Sequence, residues 1–258
     1  MGATSESDRG TTRTRLAAIA RDMAARAGWE CKTILAEHPS LAVPLARWRG
    51  HGEIVTGETE VVIEAFARSA QSYVVAAFRL AQEPHAVRVA HHTHSPSTVI
   101  DGVRHEIPAL VIVREPKDAV LSYVIREPSI SIRGALRGYI RFHRPLLPYR
   151  DRLVLATFTQ VTTDLATVIA QVNERFGTDF GTFEPTEANV ARIFGEIEAD
   201  EQTRASNVDD RERAIPRPSG VREDLKEPML ASYEVDALGA LRMEAGRLYA
   251  VLASESGV

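Results

Sequence analysis

The stretch EVVIEAFARSAQSYVVAAFRLA, residues 60–81, decides the fold. EVVIEAF is apolar and strand-like, and SAQSYVVAAFRLA has the length and composition of a helix. Between them FARSAQSY, Phe66 to Tyr73, carries a cation at Arg68 and small or polar residues leading into the helix. Strand, tight turn and helix in that order aim free backbone N–H groups and the positive helix end at one spot, which is how proteins hold phosphate or sulfate oxygens. Taken alone, the stretch also reads as an ordinary strand-to-helix turn with Ser69 as cap. It lacks the glycine, the lysine and the following Ser or Thr of the usual phosphate loop.

Working outward, VRVAH (Val87 to His91), PALVIV (Pro108 to Val113) and LVLATF (Leu153 to Phe158) are further strands, the second apolar enough to be buried on both faces. Helices are predicted over Pro116 to Ile125, over Ser131 to Arg144 with Ser131 as cap and Pro145 as stop, and over Thr162 to Phe176 with Gly177 as left-handed terminator. Two more are predicted over Glu184 to Ala199 and Glu234 to Ser254. Alternating β and α units imply a parallel sheet with helices on both faces, a three-layer α/β domain whose ligands gather at the carboxyl ends of the strands. Before Glu60, Leu16, Ile19, Ala20 and Met23 follow helical spacing, so residues 11–59 read as a helical extension and residues 1–10 as a disordered tail. Residues 200–226 are highly charged and contain Pro216, Pro218 and Gly220, which predicts a mobile surface segment that orders over a bound ligand.

At 258 residues with 44% hydrophobic content, one large domain is expected across the chain and two would be cramped. A net charge of -4 argues against a nucleic-acid partner, so any anion site must be local. Lysine occurs only at Lys32, Lys117 and Lys226, leaving arginine to supply nearly all positive charge. The single cysteine, Cys31, an amino terminus without an apolar signal core, and the lack of any apolar run near membrane-spanning length together predict a cytoplasmic protein with no membrane span.

Two more segments carry chemistry. HHTHSP places His91, His92 and His94 at the end of the second strand, where alternation would aim His92 and His94 to the same side. Metal-ligand spacing such as HExxH or paired cysteines is missing. Packing roles suit His91, His92 and His105. A neutral imidazole at His94 is suited to drawing a proton from a hydroxyl near neutral pH. In REPKDAVLS, Arg114 ends the third strand and can grip a phosphate through a forked pair of hydrogen bonds, while Ser122 on the ensuing helix offers one more donor.

These segments, in this order, resemble the cytosolic-type sulfotransferases. FARSAQSY resembles the phosphosulfate loop of that family, HTHSP its KTHLP catalytic segment, and REPKDAVLSY its RNPKDVAVSYY segment for the 3′-phosphate. TFTQVTTD resembles the YEDL-type stretch that ends the fourth strand, and RPSGVREDLK the Arg- and Gly-bearing tail that covers the nucleotide. The resemblance spans Glu60 to Lys226 in outline and implies a P-loop-type fold, 3′-phosphoadenosine 5′-phosphosulfate as donor and 3′,5′-adenosine bisphosphate as product.

Carried over by residue, the resemblance gives Arg68 the transferring sulfuryl group and bridging oxygen. It gives Ser69, Ala70, Gln71 and Ser72 the 5′-phosphosulfate, with Tyr73 closing the loop motif. Arg114 and Ser122 would hold the 3′-phosphate, with Phe158 in the place of the family tyrosine. Arg217 and Arg222 would close over the nucleotide, with Gly220 permitting the turn, and His94 would deprotonate the acceptor. Alanine at position 70, where the family has glycine, predicts a backbone that avoids positive φ there. No metal is required. The acceptor is a small molecule, lipid or carbohydrate, and the family often forms homodimers. A P-loop kinase using ATP and a non-catalytic nucleotide-binding relative stand as alternatives.

Overall fold

The apolar run Val61–Ala65 forms β1, buried along its whole length, as a central strand of a parallel sheet must be. The computed structural model describes residue 20 and residues 23–49, 53–204 and 220–256. With β2 (Val89–His91), β3 (Ala109–Val113) and β4 (Val154–Thr157), β1 builds a four-stranded sheet of order β2-β1-β3-β4. Every neighbouring pair is parallel. The chain leaves β1 on one side to form β2 and comes back on the other to form β3. Connections therefore diverge above the β1/β3 boundary, and the crevice they leave is where open α/β sheets bind ligands.

Helix α1 (residues 23–36) and α2 (Pro39–Trp48) precede the sheet. Then come α3 (Gln71–Ala81), α4 (Pro96–Arg104), α5 (Pro116–Arg126), α6 (Ile132–His143), α7 (Phe158–Thr163), α8 (Leu165–Phe176), α9 (Glu187–Arg204), α10 (Gly220–Tyr233) and α11 (Gly239–Ser254). Side chains alternate across the sheet. Val61, Ile63 and Ala65 pack against α3, α8 and α9, whereas Val62 joins Phe66 in a core with α4, α5, α6 and α11. Helices on both faces of a parallel sheet make the three-layer α/β fold that the sequence predicts.

Several local expectations change. Helix α4 was not anticipated, because PSTVIDGVR is rich in β-branched residues, Pro and Gly, all weak helix formers. Tertiary burial overrides propensity there. Pro96 through Val103 are all buried, and Ser95 caps the helix by accepting from the Ser97 N–H. After α6, the chain does not stop at Pro145 but continues as a 3-10 helix, Arg144–Arg152. The fourth strand ends one residue early, since Thr157 and Gln160 form a reciprocal capping box that makes Phe158 the first residue of α7. The expected helix from Thr162 is two helices, split at Asp164, whose carboxylate accepts from the Thr167 N–H to start α8. Gly177 terminates α8 with φ 66, as predicted.

The amino-terminal extension docks by specific contacts. The Trp29 indole donates to the Tyr123 hydroxyl at 2.6 Å and covers Gly138 of α6, and Ser97 Oγ donates to the Ala36 carbonyl at 2.6 Å. Of the periodic residues before it, Leu16 and Ile19 lie outside the described residues and Met23 is 65% exposed. The predicted tail, residues 1–10, also lies outside them. The 200–226 stretch is helical at both described ends, in α9 and α10, and residues 205–219 are not described. No helix among the described residues is long and apolar enough to cross a membrane.

Helix α4 can lie on β1 only because position 102 has no side chain: a Cβ there would sit 2.6 Å from Val62 Cγ2. Gly102→Ala would gain about 1 kcal/mol in helix propensity but overpack a filled core at a typical cost of about 1–3 kcal/mol. A net loss of roughly 0–2 kcal/mol in urea denaturation is expected. A more stable variant would show that Val62 has room to turn away.

Candidate active site

All four strands end at one rim. β1 delivers the turn Phe66–Ala70, β2 the segment His92–Ser95, β3 Arg114 and β4 the Thr157–Phe158 step. Five non-glycine residues among those described have positive φ, and four of them, Arg68, Ala70, His92 and His94, sit in the first two of these segments. Left-handed backbone disfavours side-chain-bearing residues by roughly 1–2 kcal/mol each, and its clustering marks a place that the surrounding structure holds in shape.

Ala70 corrects an expectation: its φ is 66, so the loop keeps a left-handed residue without a glycine. Ala70 is also the N-cap of α3 and makes no side-chain cap bond, so Ser69 is not the cap. A left-handed residue leading straight into a right-handed helix turns successive N–H groups toward one concavity, the arrangement that binds anions. Ser69 is buried, and its Oγ has no hydrogen-bond partner. Gln71 is buried as well and ties the helix start to the strand, its Nε2 donating to the Ile63 carbonyl at 2.7 Å and to Glu64 Oε2 at 3.1 Å. Ser72 is exposed, with its Oγ 2.9 Å from His92 Nε2. Tyr73 leans the other way, its ring 6.3 Å from Phe183 and 5.9 Å from Phe194.

Glu64 is the residue that sequence reasoning missed. It is wholly buried in the middle of β1, on the side shared with Val62 and Phe66. Its Oε1 accepts from the Thr93 N–H at 2.9 Å and the Thr93 hydroxyl at 2.6 Å; its Oε2 accepts from the His94 N–H at 3.2 Å and from Gln71. Burial raises the carboxyl from an ordinary 4.5 to about 7, against the opposing pull of Thr93 and Gln71. The signal was a single carboxylate inside an otherwise apolar strand, a placement charges almost never adopt without partners.

His94 lies beside the loop. Its Nδ1 is 2.9 Å from the Ala65 carbonyl, and a carbonyl can only accept, so Nδ1 carries the proton and Nε2 the lone pair. Burial lowers its pKa from 6.5 to about 4, so the ring is neutral at neutral pH. His92 is drawn into the site by its contact with Ser72, contrary to the packing role expected of it. Its ring centre lies 5.9 Å from that of His94. His91 is buried at the strand end, whereas His105, expected to pack, is exposed at the far end of α4 with its Nδ1 2.8 Å from the Asp101 carbonyl.

Across the β1/β3 crevice the two arginines meet. Arg114 Nη1 donates to the Arg68 carbonyl at 2.5 Å, and Arg68 Nε donates to Ser122 Oγ at 3.2 Å. The Arg114 guanidinium stacks 4.1 Å from the centre of the Phe158 ring. Behind it, the Tyr139 hydroxyl donates to the Arg114 carbonyl at 2.8 Å, and burial holds that phenol well above its ordinary range, so it stays a donor. Of the residues singled out in the sequence, the structure links Arg68 to Ser122 and Arg114, and Arg114 to Phe158, while Ser72 lies against His92 and His94 against the Ala65 carbonyl. From the covering segment, Gly220 opens α10 and does not form a turn, Arg222 lies on that helix, and Arg217 is outside the described residues. α10 and the residue after it are clasped to α5 by Lys226–Asp118 at 3.1 Å and Lys117–Glu234 at 3.2 Å. Among the described residues, no group of three or more His, Cys, Asp or Glu is placed to hold a metal ion.

No family model and no curated protein matches the chain. Among solved structures it is similar to mouse sulfotransferase SULT7A1 complexed with PAP, with a TM-score of 0.39 and 11% sequence identity over 74% of this chain and 91% of that one. A likeness that distant bears on neither the ligand nor the chemistry.

Glu64→Gln turns an amide N–H₂ toward donors and should destabilise by about 1–3 kcal/mol. Because the folded carboxyl titrates at about 7 and the unfolded one at 4.5, its contribution to stability is full below pH 4.5 and is lost as pH rises through 7. The glutamine variant lacks that term, so its deficit in urea denaturation should narrow between those two pH values. A deficit independent of pH would mean that Glu64 titrates as an ordinary carboxylate.

Proposed function

We propose that the chain moves a sulfuryl group from 3′-phosphoadenosine 5′-phosphosulfate to a hydroxyl or amine of a small-molecule, lipid or carbohydrate acceptor. The observation that carries this reading is the convergence of the Arg68–Ser72 loop, Arg114 with Ser122, and His94 at one strand-end crevice. Those are the three segments on which the sequence resembles the sulfotransferases. The Arg114 guanidinium on the Arg68 carbonyl and the Arg68 guanidinium on Ser122 set two cations along the β1/β3 crevice, which suits an anionic ligand because guanidinium binds phosphate oxygens in a fork.

In this reading the N–H groups of Ser69 to Ser72 and the Ser72 hydroxyl hold the 5′-phosphosulfate, while Arg114 and Ser122 take the 3′-phosphate. Phe158 backs the Arg114 guanidinium. Gly220, Arg217 and Arg222 are assigned to the cover over the nucleotide, whereas Tyr73, packed on Phe183 and Phe194, anchors the loop from behind and does not touch the ligand. The acceptor oxygen attacks sulfur as the bond from sulfur to the bridging oxygen breaks, and the acceptor proton passes to His94 Nε2. Arg68 stabilises the charge that develops on the sulfuryl and leaving oxygens; it stays ionised and donates no proton. By analogy with loose phosphoryl transfer, positioning and electrostatics supply most of the rate, so a weakly basic imidazole is sufficient.

Thermal-shift measurements should show stabilisation by 3′,5′-adenosine bisphosphate and none by ATP, since selective ligands stabilise by mass action. His94→Ala should lower turnover about a hundredfold or more with bisphosphate affinity unchanged. The acid limb of kcat/KM should fall near pH 4 rather than 6.5, since burial keeps His94 neutral down to that range. Equal stabilisation by ATP would favour a kinase, and undiminished turnover in the alanine variant would remove His94 from the reaction.

A further inference from the structure

Behind Ser72, one flank of α3 and the end of β2 carry three side chains, Arg79, His91 and His92, with no part in the transfer just described. Arg79 Nη2 lies 2.8 Å from His91 Nε2, His91 Nδ1 lies 2.5 Å from His92 Nδ1, and His92 Nε2 lies 2.9 Å from Ser72 Oγ. Ser72 and Arg79 stand seven residues apart, which is two turns of helix, and so face the same way. The two imidazoles bridge them from the end of β2, their ring centres 4.7 Å apart and nearly perpendicular.

The polarity of this row is fixed from one end. A guanidinium only donates, so His91 Nε2 must accept and the His91 proton must be on Nδ1. That N–H then points at His92 Nδ1, which must be the lone pair, and places the His92 proton on Nε2. His92 in turn donates to Ser72 Oγ, which leaves the Ser72 hydroxyl hydrogen directed elsewhere. The opposite polarity would require Arg79 to accept a hydrogen bond. Further partners of either ring do not alter the result, because His91 Nε2 and His92 Nδ1 are already committed as acceptors.

We propose that Arg79, His91 and His92 are positioning residues that form a one-way hydrogen-bond relay, holding the Ser72 hydroxyl as a donor to an anionic oxygen bound at the loop. The identity of that oxygen, the 5′-phosphate end of the nucleotide, rests on the function proposed above; the direction of the relay does not. Both imidazoles stay neutral. The relay therefore adds no charge at the loop and lets the Arg79 cation polarise Ser72 through two rings, each bond strengthening the next. Left-handed backbone at His92 is what swings its ring off the strand line and over Ser72.

Nitrogen-15 NMR of the histidine rings in the ligand-free protein at pH 7 tests the direction. The expected pattern is an Nδ1–H tautomer for His91 and an Nε2–H tautomer for His92. In Arg79→Met, a change at an exposed position, His91 should lose its single tautomer. A His92 ring protonated on Nδ1, or carrying both protons, overturns the relay. Titration calorimetry with 3′,5′-adenosine bisphosphate tests its purpose. Arg79→Met and Ser72→Ala should each weaken binding about threefold to tenfold, the scale of one hydrogen bond. The double variant should bind no more weakly than Ser72→Ala alone, because both changes break one chain; additive losses overturn the proposal. Wild-type protein that shows the expected tautomers yet binds no bisphosphate overturns the proposed function and leaves the relay's direction standing.

Discussion

A carboxylate buried in the middle of a strand has to be surrounded by donors, and the rim of this molecule is organised around meeting that demand for Glu64. The donors come from separate pieces of chain: Thr93 and the His94 N–H from the turn after β2, and Gln71 from the first turn of α3. Satisfying one side chain therefore fixes the loop, the helix start and the histidine segment relative to one another. Networks of this kind specify a geometry more than they add stability, since desolvation offsets much of what the hydrogen bonds return. The pKa raised to about 7 is the visible trace of that balance.

Titratable groups around the crevice are pushed toward neutrality, while the fixed charges are arginines. Burial lowers His94 and His143 to about 4 and raises Glu64 to about 7. The two histidines contribute stability that is present above pH 6.5 and is lost as pH falls through 4, the reverse of the glutamate. His143 also belongs to the structural support of Arg114. Its ring packs 4.0 Å from that of Tyr139, whose hydroxyl holds the Arg114 carbonyl. The charge that faces the crevice is thus carried by groups whose ionisation does not depend on pH, set on a core of neutral aromatic rings.

Much of this was legible in the chain because parallel sheets leave a strong mark. Strands buried on both faces become short apolar runs, and VVIEA and ALVIV could hardly be anything else. The placement of Arg114 at the end of β3 and of Ser122 on the next helix was legible for a similar reason, but the contact that Ser122 makes was not: its hydroxyl accepts from Arg68, 54 residues away. What escaped was non-local. Helix α4 forms because its surroundings bury it, and its own residues argue otherwise. The strand ends at His91 as expected, but alternation was carried on to His92, where the backbone turns left-handed and the rule no longer says where the ring goes. Ala70 misled in the same manner, since the absence of glycine was taken to mean the absence of positive φ. Glu64 was visible as an oddity, but its purpose depends on a segment 29 residues away.

The four left-handed residues at the rim also constrain the substitutions these positions can accept. At Arg68, Ala70, His92 and His94 a side chain branched at Cβ would collide with its own backbone, so valine, isoleucine and threonine are closed to them whatever their polarity. Glycine and asparagine remain open by geometry alone. In a saturation library, tolerance at these sites would sort by the shape of the first side-chain carbon before it sorted by charge or size. The rim would carry a steric signature readable from sequence variation, separate from any signature left by the chemistry.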